Sequence, residues 1–177
     1  AVGYLAGCAD QGASCVAIGY LAGRIDQGNN SVAIGAYAGC ADQGVNSVAV
    51  GLFAGRNSQQ NDSTAVGYSA GENAQGTLSV AFGRYAGYGN QGNYAVAIGN
   101  EAGCSGQAGG AVAIGSYAGS LNQGSLAIAI GYDAAKPSQP ANTFRTRFGS
   151  VRDANGNEYI HITNSGEFVR ANGASDD

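Results

Sequence analysis

Ser31-Val32-Ala33-Ile34-Gly35-Ala36-Tyr37-Ala38-Gly39-Cys40-Ala41-Asp42-Gln43-Gly44-Val45-Asn46 is one unit of a pattern that recurs along most of the 177-residue chain. Gln43 belongs to a series that never misses: Gln11, Gln27, Gln43, Gln59, Gln75, Gln91, Gln107, Gln123 and Gln139, each sixteen residues from the next. Gly35 keeps the same beat from Gly3 to Gly131, as do Ala33 from Ala1 to Ala129 and Ala38 from Ala6 to Ala134. The place of Ile34 is filled by Val, Ile or, once, Phe82; that of Val32 is apolar throughout except for Thr64. Three glycine positions of the unit account for 23 of the 31 glycines. A fixed short period marks one structural unit stacked on copies of itself.

The unit reads as extended chain. Val-Ala-Ile-Gly is β-branched, alternates large with small and ends in a breaker. Two or three glycines per unit would cost a helix about 1 kcal/mol each, and sixteen residues are too few for a helix pair with its loops. The expected fold is all-β, a parallel β-solenoid of nine coils. Like positions then stack about 4.8 Å apart along a rod of roughly 40 Å. Val and Ile, two apart, face one way and Ala the other. Glycine supplies positive φ at the corners, and Gln-Gly pairs read as turns. The stacked glutamines form a structural ladder, hydrogen-bonded amide to amide along the axis.

Two regions are expected, residues 1–143 as solenoid and 144–177 as a small C-terminal β cap with a disordered end. The first holds four basic residues (Arg24, Arg56, Arg84 and Lys136) and seven acidic ones; the second holds the other four basic residues and five acidic ones. Arg145 falls where nine alanines stood, so the stack is expected to stop there, with Pro137 and Pro140 just before it blocking edge pairing. Strands are expected near 144–152, 158–163 and 167–170, with turns at 153–157 and 164–166 and a frayed tail from 171. Opening within a repeat suggests a piece of a longer rod.

Charge and chemistry exclude several classes. The net charge is −4 with a single lysine, which argues against nucleic-acid and lipid-surface binding. No membrane-spanning run or signal peptide is present in the sequence. Cys8, Cys40 and Cys104 share one repeat position, and two coils of separation puts Cys8 and Cys40 about 9–10 Å apart, beyond a disulfide's reach. Free thiols are expected, with Cys8–Cys15 the pairing left open. The lone histidine, His161, lacks catalytic partners. Asp10, Asp26 and Asp42 stack at one position; they read as a solvated face or as a calcium site, though the glycine-aspartate nonapeptide of calcium β-rolls is missing. No enzyme, cofactor or metal is expected.

A bulky stripe follows the first glycine: Tyr4, Tyr20, Tyr37, Phe53, Tyr68, Tyr85, Tyr117 and Tyr132. Exposed, it would be an apolar patch of the kind that marks an interface. It reads as packing between copies of this chain, as a platform stacking on host glycans, or as packing within the coil.

Ser31-Val32-Ala33-Ile34-Gly35, Ser47-Val48-Ala49-Val50-Gly51 and Ser79-Val80-Ala81-Phe82-Gly83, with Asn30 and Asn46 before the first two, resemble the YadA-like head repeats of trimeric autotransporter adhesins and related fibre proteins of phages and large viruses. The resemblance covers residues 1–143. It implies a left-handed β-roll, three chains side by side, and attachment to a host surface protein or glycan. The period of sixteen and the four cysteines favour a virion or phage fibre assembled in a reducing cytoplasm over a bacterial envelope protein. The expected function is thus a homotrimeric structural or adhesive fibre segment at a virion or cell surface. A self-assembling filament or shell component, stacked end to end, is the alternative. An ice-binding solenoid is a minor one, disfavoured by five threonines out of register.

Overall fold

A computed structural model describes residues 1–136 and 138–146, and the backbone of 160–162 and 168–170. The described chain is a parallel β-solenoid. Nine three-residue strands, from Val16–Ile18 through Val32–Ile34 to Ile128–Ile130 and Phe144–Thr146, make one parallel sheet in strict sequence order. Each pairs with the strand sixteen residues on: Val16 with Val32, Ala17 with Ala33, Ile18 with Ile34. Eight strand-to-strand steps of about 4.8 Å separate the first of these strands from the last. A second parallel sheet takes the other side of the coil, from Ile25–Gln27 to Gly89–Gln91. Isolated bridges at Ser105 and Leu121 carry its ladder further.

The interior is built from the smallest side chains. Ala17, Ala22, Ala33, Ala38 and their counterparts up to Ala129 are fully buried and form one continuous cluster. A coil of sixteen residues encloses so little volume that methyl groups fill it. The consequence is an inversion of the usual strand: in Val32–Ile34 the alanine is buried while the isoleucine is exposed. The large apolar residues lie outside.

Glycine answers two close approaches. At the column of Gly67 the backbone is at φ 130°, and a methyl added there would lie 2.6 Å from the carbonyl oxygen of Gly83 in the next coil. Only hydrogen fits between the stacked backbones. At Gly39 an added methyl would meet Oε1 of Gln43 at 2.6 Å, so this glycine makes room for the buried amide. The expectation that glycine supplies the left-handed backbone holds for part of the coil only. Non-glycine residues recur at positive φ in three further columns, among them Asp26, Asp42, Asn30, Asn46, Tyr37 and Phe53. Aspartate and asparagine tolerate that region because their short polar side chains bond locally. Tyrosine and phenylalanine have no such relief, and packing against neighbouring coils holds them there.

The ladder runs one strand past the position where Arg145 is expected to end it. Phe144–Thr146 pairs in parallel with Ile128–Ile130, opposing Arg145 to Ala129. The guanidinium stays exposed and donates to the Ser138 carbonyl at 3.3 Å. The chain divides into two units at Thr146. In the second, Ile160–Ile162 and Phe168–Arg170 form an antiparallel pair opposing His161 to Val169. The turns expected at 153–157 and 164–166 and the frayed tail from 171 lie outside the described residues, as does Pro137.

Candidate functional site

Three features of the coil could carry function: the glutamine column inside it, and two outward surfaces. The glutamines are buried, at most 2% exposed from Gln27 onward. From Gln27 to Gln139 each Nε2 donates to the carbonyl eleven residues earlier, as Gln107 to Val96 at 2.8 Å, and to that four residues later, as Gln107 to Ala111 at 3.2 Å. Each amide thus ties the first residue of its own coil's Val-Ala-Ile strand to the residue just before the next one, as Val96 of Val96–Ile98 to Ala111 ahead of Val112–Ile114. Ladder bonds between amides join Gln11 to Gln27, Gln43 to Gln59, and Gln91 through Gln107 and Gln123 to Gln139, at 3.0–3.2 Å. The ladder is interrupted, and the unbonded Oε1 atoms of Gln43, Gln75 and Gln91 lie at the interruptions. An amide nitrogen has two hydrogens, so two backbone carbonyls and the next Oε1 compete for them, and the ladder bond is the one that lapses below Gln43, Gln75 and Gln91. From Gln27 onward the column closes each coil from within and is shut off from solvent.

A serine column does similar work. Ser31 donates to the Gly44 carbonyl at 2.6 Å and Ser47 to that of Gln60 at 2.8 Å. Cys15 takes the same place, its thiol donating to the Gly28 carbonyl at 2.9 Å. All four cysteines are free thiols. Burial, and next the Glu101 carboxylate, push the Cys104 thiol above its ordinary pKa. Among the described residues no group of His, Cys, Asp and Glu side chains could hold a metal ion. Asp10, Asp26 and Asp42 are exposed residues at φ 50–54°, a backbone role that accounts for aspartate without a ligand. No helix of the described residues is long and apolar enough to cross a membrane.

The aromatic stripe is a continuous ridge over six coils. Ring centroids lie 5.3 Å apart for Tyr4–Tyr20, 5.4 Å for Tyr20–Tyr37, 5.3 Å for Tyr37–Phe53, 6.2 Å for Phe53–Tyr68 and 5.2 Å for Tyr68–Tyr85. Asn100 and Glu101 then take the aromatic positions, and the ridge resumes with Tyr117–Tyr132 at 6.1 Å. Cations brace it from the side. Arg56 lies over Tyr37 and Phe53 and pairs with Glu72 at 3.4 Å; Arg84 lies over Tyr85 at 4.5 Å and pairs with Glu101 at 3.8 Å. Lys136 lies over Tyr117 at 4.8 Å. A hydrogen bond with Tyr68 raises the Tyr85 phenol above its ordinary pKa. The ridge is thus an internally packed surface with its cations engaged.

The second outward surface was not singled out by its sequence pattern. It is the bare face of the nine-stranded sheet, two columns of Val and Ile flanking the buried alanines. No charged side chain projects from it between Val16 and Ile130, and Thr64 is its one polar member over that span. Val16, Ile18, Ile34, Phe82, Ile98 and Ile114 are each more than a third exposed. Coils further along add apolar corner residues beside it: Leu78 is 50% exposed, Tyr94 64% and Leu126 64%. In earlier coils that corner is polar, with Asn30 donating to Asn46 and Asn46 to Asp62. The signal was present in the sequence as Val-x-Ile. Packed alanines, presupposed in reading Arg145 as a stop, fixed its direction; that the outward columns join into one uncharged face shows only once the coils are stacked.

Compared with protein-family models, with curated proteins and with solved structures, the chain matches none.

Proposed function

We propose that the chain is a structural fibre segment that works as a homotrimer, the three rods joined along the Val/Ile sheet face. One observation carries this: a nine-stranded parallel sheet with one face on an alanine core and the other bare, uncharged and β-branched. Parallel sheets occur almost only with both faces covered. Exposed apolar patches of this continuity mark association surfaces. The face is about 38 Å long by strand spacing, and its columns repeat with the coil, so a second rod meets the same chemistry at every step. The number three comes from the likeness to YadA-like heads.

Such a bundle is a stiff spacer at a virion or cell surface, and the role we infer is attachment to a host glycan or protein. Three copies side by side present every weak contact three times, which raises avidity without any strong single site. Sedimentation at micromolar concentration is expected to give a trimer. The double variant Ile98→Glu/Ile114→Glu puts carboxylates on the face without touching the core, and is expected to sediment as a folded monomer. A wild-type monomer would overturn the reading. Rods growing without limit would favour end-to-end filaments instead.

A further inference from the structure

The aromatic ridge is uneven along its length. Tyr4 and Tyr20 lie with 12° between their planes, the one near-parallel pair among the described residues. Other tyrosines of neighbouring coils meet edge to face, at 65° for Tyr20–Tyr37, 90° for Tyr68–Tyr85 and 85° for Tyr117–Tyr132. Each of those other pairs has a cation over one of its rings: Arg56 over Tyr37, Arg84 over Tyr85, Lys136 over Tyr117. Among the described residues none lies over Tyr4 or Tyr20. A positive charge against a π face opposes removal of an electron from that ring. Tyr4 is 65% exposed and Tyr20 47%, so a dissolved oxidant reaches both. Phe53, which has no phenol, breaks the run of tyrosines between Tyr37 and Tyr68.

From this we infer that Tyr4 and Tyr20 form an oxidative cross-linking site, at which a one-electron oxidant joins the two phenols and ties adjacent coils covalently. Each phenol loses one electron and its hydroxyl proton, giving two phenoxyl radicals. Their ring carbons ortho to oxygen form one carbon–carbon bond. The hydrogen on each of those carbons then moves to oxygen, restoring both aromatic rings. The net loss is two hydrogen atoms, and a peroxide, acting through a peroxidase-class catalyst, accepts them as two molecules of water. The coils hold the two side chains one strand spacing apart, so the second radical forms beside the first. The inference does not depend on the fibre reading, since it rests on one chain's rings and applies to a monomer as well.

The full chain is treated with a peroxidase and hydrogen peroxide at low protein concentration, then denatured and digested with trypsin. Tyr4 and Tyr20 both precede Arg24, so their coupling leaves one peptide, lighter by two hydrogen atoms and fluorescing as dityrosine. Coupling of Tyr68 to Tyr85 would instead join two peptides, because Arg84 lies between them. The expected result is that most of the dityrosine is in the peptide ending at Arg24. Tyr20→Phe, which keeps the ring packing, should lose that signal, while Tyr85→Phe and Tyr117→Phe keep it. Dityrosine located mainly at other pairs, found mainly between chains, or unchanged in Tyr20→Phe would overturn the assignment. So would an equal yield at Tyr4–Tyr20 in denaturant, where the coil no longer holds the rings together.

Discussion

A buried glutamine is a demanding residue, because every polar atom it brings inside must be answered. Gln107 donates to two carbonyls and to Gln123, and accepts from Gln91. Gln107→Ala takes a donor from the carbonyls of Val96 and Ala111, the second of which still accepts from the Val96 N–H, and leaves the buried Gln123 Oε1 without its amide donor. A buried group left unpaired costs about 1–3 kcal/mol, and equilibrium denaturation should read the loss. Gln107→Glu is expected to be worse at neutral pH than in acid. Burial raises the folded pKa of the new carboxyl, so its protonated form is tolerated below the unfolded value, and stability falls as pH rises through the folded one. Cysteine alkylation gives a second test. Cys8 is exposed, whereas Cys104 is half-buried with its thiol pushed up by burial and by Glu101. Cys104 should label more slowly, and Glu101→Gln should speed it at alkaline pH. The thiol's contribution to stability is complete below the unfolded pKa and is lost as pH rises through the raised folded one.

The coil is the element, and its tolerance is set by contact between stacked backbones. Gly67→Ala places a methyl 2.6 Å from the Gly83 carbonyl, at a φ of 130° that a side chain rarely adopts. Backbone cannot move aside cheaply, so the variant should lose several kcal/mol or open the stack at that point. A solenoid's stability is a sum over nearest neighbours. Hydrogen exchange should therefore rise most around residues 64–86, with distant coils less affected. The periodicity of glycine in the sequence made this column legible. The third left-handed position was not legible, because Tyr37, Phe53 and Leu21 carry no composition signal for positive φ. Their conformation follows from closing a sixteen-residue coil.

For the whole molecule, the proposed association through an uncharged face makes a prediction about salt. Ion pairs between rods would weaken as salt screens them, whereas apolar burial is strengthened by excluded salts such as sulfate. Raising sulfate should therefore tighten the trimer, measured by sedimentation, and a trimer that dissociates with salt would point to another surface. The Ile98→Glu/Ile114→Glu variant should be insensitive to sulfate over the same range.

Sixteen residues between successive glutamines, with Val-Ala-Ile-Gly recurring in nearly every copy, were enough to determine a stacked parallel β-solenoid and its register. Period is a property of sequence, and only one kind of structure satisfies a short period of β-branched residues and glycines. The expected packing of the small residues is what the structure shows. Alanine goes inside because a coil this narrow has no room for a larger side chain, and so the hydrophobic residues are left as the outer face. The tertiary structure decided that the glutamines close the coil from within, that Arg145 is carried on the exposed last strand of the nine-stranded sheet, and that the aromatic stripe is a ridge braced by cations. Each depends on distances between residues in different coils, which a pattern along the chain does not contain.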